Sequence, residues 1–177
     1  MRGPLDALVA AALVCLAALL QVSIVGSIGI AGGAPDLLIV TLVAVALLRG
    51  PIVGASVGFL GGLVVDVALL ETLGLTSLVL TLAGYWIGRY GETTGRDRAH
   101  APLLSVVVVT VLYTIGAFGL HFVLGDAVSA RHALLGVLPA TILLNALLTV
   151  PVYALCRRVL PPVERPERAR GGVRLLA

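Results

Sequence analysis

Long stretches without a single Asp, Glu, Lys or Arg recur along this chain, and the longest covers residues 7–35. About 20 largely apolar residues are enough to cross the hydrocarbon core of a bilayer as a helix. Only 12% of the 177 residues are charged, against about 25% in soluble domains, and 59% are hydrophobic. Because so little charge cannot cover a water-facing surface, the sequence predicts an all-α membrane protein.

The uncharged runs predict about six transmembrane helices in one domain, residues 1–156. Their expected bounds are roughly 5–25, 36–49, 51–70, 75–90, 102–124 and 133–156. The second span is short if it starts at Asp36, and a start near Ile28 is the alternative. The first run is too long for a signal-peptide core, so it is expected to remain as a span. Residues 91–100 are expected to form a polar loop, and residues 157–177 a disordered, Arg- and Pro-rich cytoplasmic tail.

The distribution of arginine predicts the orientation. All 12 basic residues are Arg, and with six spans only Arg131 lies on the side opposite the two termini. Cytoplasmic loops carry an excess of basic residues, so both termini are predicted to be cytoplasmic. The net charge of +3 follows from this topology, and nucleic acid is not an expected partner. Trp86, Tyr85 and Tyr90, which surround Arg89, are typical of an interfacial aromatic anchor.

The tripeptide Arg49-Gly50-Pro51 predicts a tight helical hairpin. Arginine is favourable at the negative end of a helix dipole, glycine suits the position after the last turn, and proline suits the first turn of the next helix.

A glycine stripe follows on the third helix. Its members recur every fourth residue, at Gly50, Gly54, Gly58 and Gly62. Such spacing lets another backbone approach closely, either within the bundle or on a partner. Asp66 continues the stripe by one turn, and a carboxylate in lipid is costly unless it faces protein or water. It is either an interfacial acid that reaches water or a polar contact in the bundle.

The predicted sixth helix carries a polar face. Thr141, Asn145 and Thr149 are spaced by four residues between Pro139 and Pro151. Hydrogen bonding between helices is one interpretation, and a small-molecule pocket is the other.

The sequence contains no recognisable catalytic, metal or cofactor motif. His121 has no second His or Cys nearby, and Cys15 and Cys156 are expected at different depths, so neither a zinc site nor a disulfide is predicted. An intramembrane enzyme needs convergent reactive groups, and none is evident.

The order and spacing of these motifs over residues 35–90 resemble the MreD family of bacterial rod shape-determining membrane proteins. The matching positions include Pro35, Asp36, Arg49, Gly50, Pro51, Gly54, Gly58, Gly62, Asp66, Gly74, Gly84, Tyr85, Gly88 and Arg89. The other spans are similar in hydropathy only.

The resemblance implies a non-enzymatic scaffold in the bacterial inner membrane that organises peptidoglycan synthesis and cell shape. Its implied partner is the bitopic protein MreC and, through the complex, MreB, RodA and a class B penicillin-binding protein. The family fold is similar to the substrate-binding subunits of energy-coupling-factor vitamin transporters. A vitamin-binding transporter subunit is therefore the alternative, and it predicts a pocket near Asn145 and His121.

Overall fold

The structure is a computed structural model that describes residues 3–24, 33–70, 73–94, 100–124 and 137–160. These residues form six helices, in agreement with the predicted all-α membrane fold. The helices are α1 (Gly3–Ser23), α2 (Leu37–Arg49), α3 (Pro51–Leu69), α4 (Leu75–Thr94), α5 (Ala101–Leu124) and α6 (Leu138–Val159).

Hydropathy supports membrane crossing for several of these helices. Three segments are long and apolar enough to span a bilayer, namely Leu5–Ser23, Pro51–Leu69 and Leu138–Val159. Leu37–Arg49 and Ala101–Gly116 are apolar but shorter. The chain is therefore a membrane protein with several candidate spans.

Helix α2 is the centre of the bundle. It packs against each of the other five helices, and eleven of its thirteen residues are buried. At 1.5 Å per residue it is about 20 Å long, shorter than a hydrocarbon core of about 30 Å. The structure decides between the two predicted starts, because the helix begins at Leu37 with Asp36 as its N-cap.

Consecutive helices run in opposite directions. We call the end of the bundle that carries Arg49, Arg89 and Arg157 the arginine end, and the opposite end, at the α3–α4 connection, the aspartate end. The closest pair is α3 with α4, and α5 lies against α6, α2 and α4. Helix α6 is the least enclosed of the candidate spans, since only 11% of its most apolar window is buried.

Two helices extend a few residues beyond their approximate predicted ends. Residues 91–94 belong to α4 instead of the polar loop. Helix α6 continues to Val159, so the first three residues of the predicted tail are helical, and Leu160 after them is buried. In both places the helix continues past the apolar run, because polar side chains at its end can point into water without interrupting the backbone hydrogen bonds.

Candidate functional site

The α2–α3 hairpin has the predicted geometry. Gly50 has a positive φ of 95°, which favours glycine, and Pro51 is the first residue of α3. The Nη1 atom of Arg49 donates to Oδ2 of Asp6 in α1 at 2.9 Å, and the Arg49 side chain is only 5% exposed. Its Nε and Nη2 atoms are buried and have no hydrogen-bond partner among the described residues. The pair therefore ties the start of α1 to the end of α2.

The glycine stripe contacts α4, whose backbone approaches each of its members. A Cβ atom on Gly54 would lie 2.5 Å from the carbonyl oxygen of Gly84, and one on Gly58 would overlap the Leu80 carbonyl. At the start of the stripe, a Cβ atom on Gly88 of α4 would lie 2.5 Å from the carbonyl carbon of Gly50. Real Cβ atoms essentially never approach this closely, so only glycine fits at these positions. The stripe face is filled by a helix of the same chain, which leaves it no room for a partner helix.

The stripe ends at the aspartate end of α3. There Gly62 lies against the backbone of Thr76 and Ser77 in the first turn of α4. Asp66, one turn further, is fully buried. Its carboxylate accepts from the backbone N–H groups of Gly74, Thr76 and Ser77 at 2.9, 3.2 and 3.4 Å, and from the Ser77 hydroxyl at 3.3 Å.

Asp66 therefore caps the N-terminus of α4 from the neighbouring helix. The first N–H groups of a helix have no intrahelical acceptor and favour a negative charge. Gly74, which begins this turn, has a positive φ of 93°. Of the two predictions for Asp66, the geometry corresponds to a polar contact inside the bundle.

A second carboxylate caps α2. The Oδ1 atom of Asp36 accepts from the N–H of Ile39 at 2.9 Å. Gln21 of α1 holds the backbone on either side, since its Nε2 donates to the carbonyl of Pro35 at 3.1 Å and its Oε1 accepts from the N–H of Leu37 at 2.7 Å. The Pro35-Asp36 motif thus positions the start of a helix inside the bundle.

The polar face of α6 contributes to the same region. The Oδ1 atom of Asn145 accepts from the backbone N–H of Asp36 at 2.6 Å, and its Nδ2 donates to the Thr110 hydroxyl of α5 at 3.0 Å. The Thr149 hydroxyl donates to the carbonyl of Asn145. Thr141 lies against Gly33, where a Cβ would come within 2.6 Å of the Thr141 nitrogen. This face joins α2, α5 and α6 by hydrogen bonds.

An apolar groove separates α4 from α5. It has a volume of about 500 Å³, and its α4 wall runs from Val79 to Tyr90 while its α5 wall runs from Leu104 to Gly116. Each wall is therefore about 17 Å long. Trp86 is 65% exposed at the edge, and its ring meets Tyr85 edge to face. Ser105 lines the groove, and its hydroxyl oxygen is buried without a hydrogen-bond partner in the part of the chain that the structure describes.

A smaller cavity of about 420 Å³ lies toward the aspartate end, beside the start of α2. Its polar lining comes from Gln21, Asp36, Thr76 and Tyr113, and the rest is apolar. Of the two residues near which a pocket was predicted, Asn145 is buried and bonds to the backbone of Asp36 in the cavity wall, and the side chain of His121 lies outside the described part of the chain. Within that part, no cluster of His, Cys, Asp or Glu could hold a metal ion, and Cys15 and Cys156 are free thiols.

Sequence reasoning missed several residues that hold these sites together. Asp6, Gln21 and Thr110 were not singled out, because each bonds to a group far away in the sequence. The predicted connection between the fifth and sixth spans, which carries Arg131, and the tail after residue 160 lie outside the described residues.

The structure thus defines a helical membrane protein whose glycine stripe and two capping carboxylates are used to pack its own helices. Within that class, the chain belongs to the MreD family, because the model of rod shape-determining protein MreD matches residues 1–159. This confirms the resemblance of residues 35–90 and extends it to all six helices. The family is one of shape-determining membrane proteins and is not a known enzyme family. No curated protein and no solved structure matches the chain.

Proposed function

We propose that this protein is a non-enzymatic scaffold of the bacterial cell-elongation machinery, which binds MreC and thereby helps to organise peptidoglycan synthesis. Family membership supports the role in rod shape. The observation that carries the partner proposal is the groove between α4 and α5. MreB, RodA and a class B penicillin-binding protein are then reached through the complex with MreC.

The groove suits a single transmembrane helix. Both of its walls are about 17 Å long, which corresponds to roughly three turns of a partner helix. Its surface is almost wholly apolar. Helix association in lipid depends mainly on close packing, which an apolar groove of this length can supply. MreC is bitopic, so it offers one membrane helix.

The arginine distribution supports a position in the inner membrane with both termini in the cytoplasm. Arg49, Arg89, Arg157 and Arg158 all lie at the arginine end of the bundle, and basic residues favour the cytoplasmic face. The aspartate end then faces the periplasm.

The test is an affinity purification of tagged protein from native membranes in mild detergent, with bound proteins identified by mass spectrometry. We expect MreC near stoichiometry, with cell-wall synthases in smaller amounts. Val108→Trp fills the groove and should strongly reduce MreC recovery. Leu60→Trp is the matched control, since it adds the same ring to an exposed position on α3. Equal MreC recovery with both variants would place the contact outside the groove, and no recovery with the unaltered protein would overturn the proposal.

The cavity beside α2 favours one alternative, a vitamin-binding subunit of a transporter. Its polar side chains Gln21, Asp36 and Thr76 converge on an otherwise apolar space, as ligand pockets commonly do. Recovery of an ATPase module and a membrane coupling subunit in place of MreC would support this alternative.

A further inference from the structure

A second groove, at the arginine end, lies between the first turn of α5 and the last turns of α6. Its volume is about 460 Å³. Pro102 and Leu103 form the α5 side. The α6 side is formed by Thr149, Val150, Tyr153, Ala154, Arg157 and Arg158. The groove is separate from the α4–α5 groove and shares no lining residue with it.

The two arginines give the groove a positive rim. Arg157 and Arg158 are both exposed in the last turn of α6. The ion pairs found in the described part of the chain involve Arg49 and Arg89, and neither of these two. The first turn of α5 adds the positive end of a 24-residue helix on the opposite wall. The rim therefore complements an anion.

An apolar track leads away from this rim along α6. Leu143, Leu147 and Val150 are 71%, 73% and 63% exposed, and with Ala154 they follow one helix face at spacings of four, three and four residues. The same spacing continues to Arg157 and Arg158. From Leu143 to Arg157 the track is about 21 Å long, so one continuous face is apolar over most of its length and cationic at the end of the bundle.

We propose that this face binds one anionic phospholipid. The headgroup phosphate lies between Arg157, Arg158 and the start of α5, and an acyl chain follows the track past Val150 toward Leu143. The surface has a cationic rim followed by an apolar track, and an anionic phospholipid has a charged headgroup followed by acyl chains of comparable length. A soluble anion uses only the rim, and an apolar ligand uses only the track. The site is independent of MreC binding, because it lies on other helix faces.

The test uses purified full-length protein, stripped of lipid in dodecyl maltoside and titrated with dioleoyl phosphatidylglycerol, with bound lipid counted by native mass spectrometry. We expect one site that prefers this lipid to dioleoyl phosphatidylcholine. The Arg157→Gln/Arg158→Gln double variant should weaken it by roughly 30-fold, from the usual contribution of a basic residue near an anionic surface. Ala154→Trp, at an exposed position, should block the groove without changing the charge.

The matched control is Arg168→Gln/Arg170→Gln, which removes the same charge from the tail. A site confined to the groove predicts an affinity within about twofold of that of the unaltered protein. Equal weakening by both double variants would overturn the proposal in favour of general electrostatic attraction. Equally tight binding of glycerol 3-phosphate would replace it with a soluble-anion site. If Ala154→Trp left lipid binding unchanged but removed a copurifying protein, the face would be a protein contact and the proposal would fail.

Discussion

The contact between the glycine stripe and α4 predicts how the bundle responds to one added methyl group. In Gly58→Ala, the new Cβ would lie 2.8 Å from the carbonyl carbon of Leu80. Carbon atoms attract at about 3.5 Å or more, so α3 and α4 must separate by at least about 0.7 Å. Overpacking of this kind costs about 1–3 kcal/mol. We therefore expect Gly58→Ala to destabilise the bundle.

Gly116→Ala provides the matched control. Gly116 also lies within a helix, but among the described residues its added Cβ would meet only Val79 methyl groups, at 3.5 and 3.7 Å, which is ordinary contact. The gain in helix propensity from glycine to alanine is common to both variants and cancels between them. The difference in unfolding free energy should therefore equal the overpacking cost, about 1–3 kcal/mol.

The assay is unfolding in mixed micelles of dodecyl maltoside and increasing sodium dodecyl sulfate, followed by the fluorescence of Trp86. This residue is the only tryptophan of the chain, and it lies on α4, the helix that must move. A Gly58→Ala protein as stable as Gly116→Ala would refute the close α3–α4 contact.

Three further predictions concern polar contacts, each checked by the same unfolding titration. Asp66→Ala removes the cap of α4 and should lower the free energy of unfolding by about 1–3 kcal/mol. Asp66→Asn should lower it less, because one acceptor oxygen remains. Equal losses in the two variants would contradict the capping role. Asp6→Ala leaves the buried Arg49 guanidinium without its carboxylate and should lower the free energy of unfolding. The double variant Asp6→Ala/Arg49→Met should recover much of this loss, because it also removes the buried charge. If the double variant is no more stable, the unpaired charge is not the cause of the loss. Asn145→Leu leaves the N–H of Asp36 without an acceptor and should lower the free energy of unfolding by about 1–3 kcal/mol. Leu147→Asn, at an exposed position on α6, is the control that tests whether any polar change on this helix has the same effect.

Helix ends were predicted well from sequence where the signal is local. Arg49, Gly50 and Pro51 are consecutive, and their dipole, φ and N–H requirements act within one turn. The capping role of Asp66 was harder to predict from the sequence. Its partners begin eight residues later, and only the folded α3–α4 hairpin shows that they converge on its carboxylate.

The central position of α2 and its polar contacts could not be predicted. In a soluble protein, a helix that is apolar on every side is expected to be buried, but in a membrane protein a lipid-facing helix is apolar as well. Hydropathy therefore does not separate the centre from the periphery. Asn145 and Asp36 are 109 residues apart in the sequence, and no local pattern links two such positions.

The shortness of α2 has a consequence for how the protein is made. A segment of about 20 Å cannot hold itself across a bilayer core of about 30 Å, and its N-terminal amides need partners that lipid does not supply. Those partners come from Gln21, synthesised before it, and Asn145, synthesised long after it. The full set of hydrogen bonds that holds the start of α2 can therefore form only after α6 has been synthesised. A chain truncated before α6 is expected to hold α2 in an incomplete site, and membrane quality-control proteases should degrade it faster than the full-length chain.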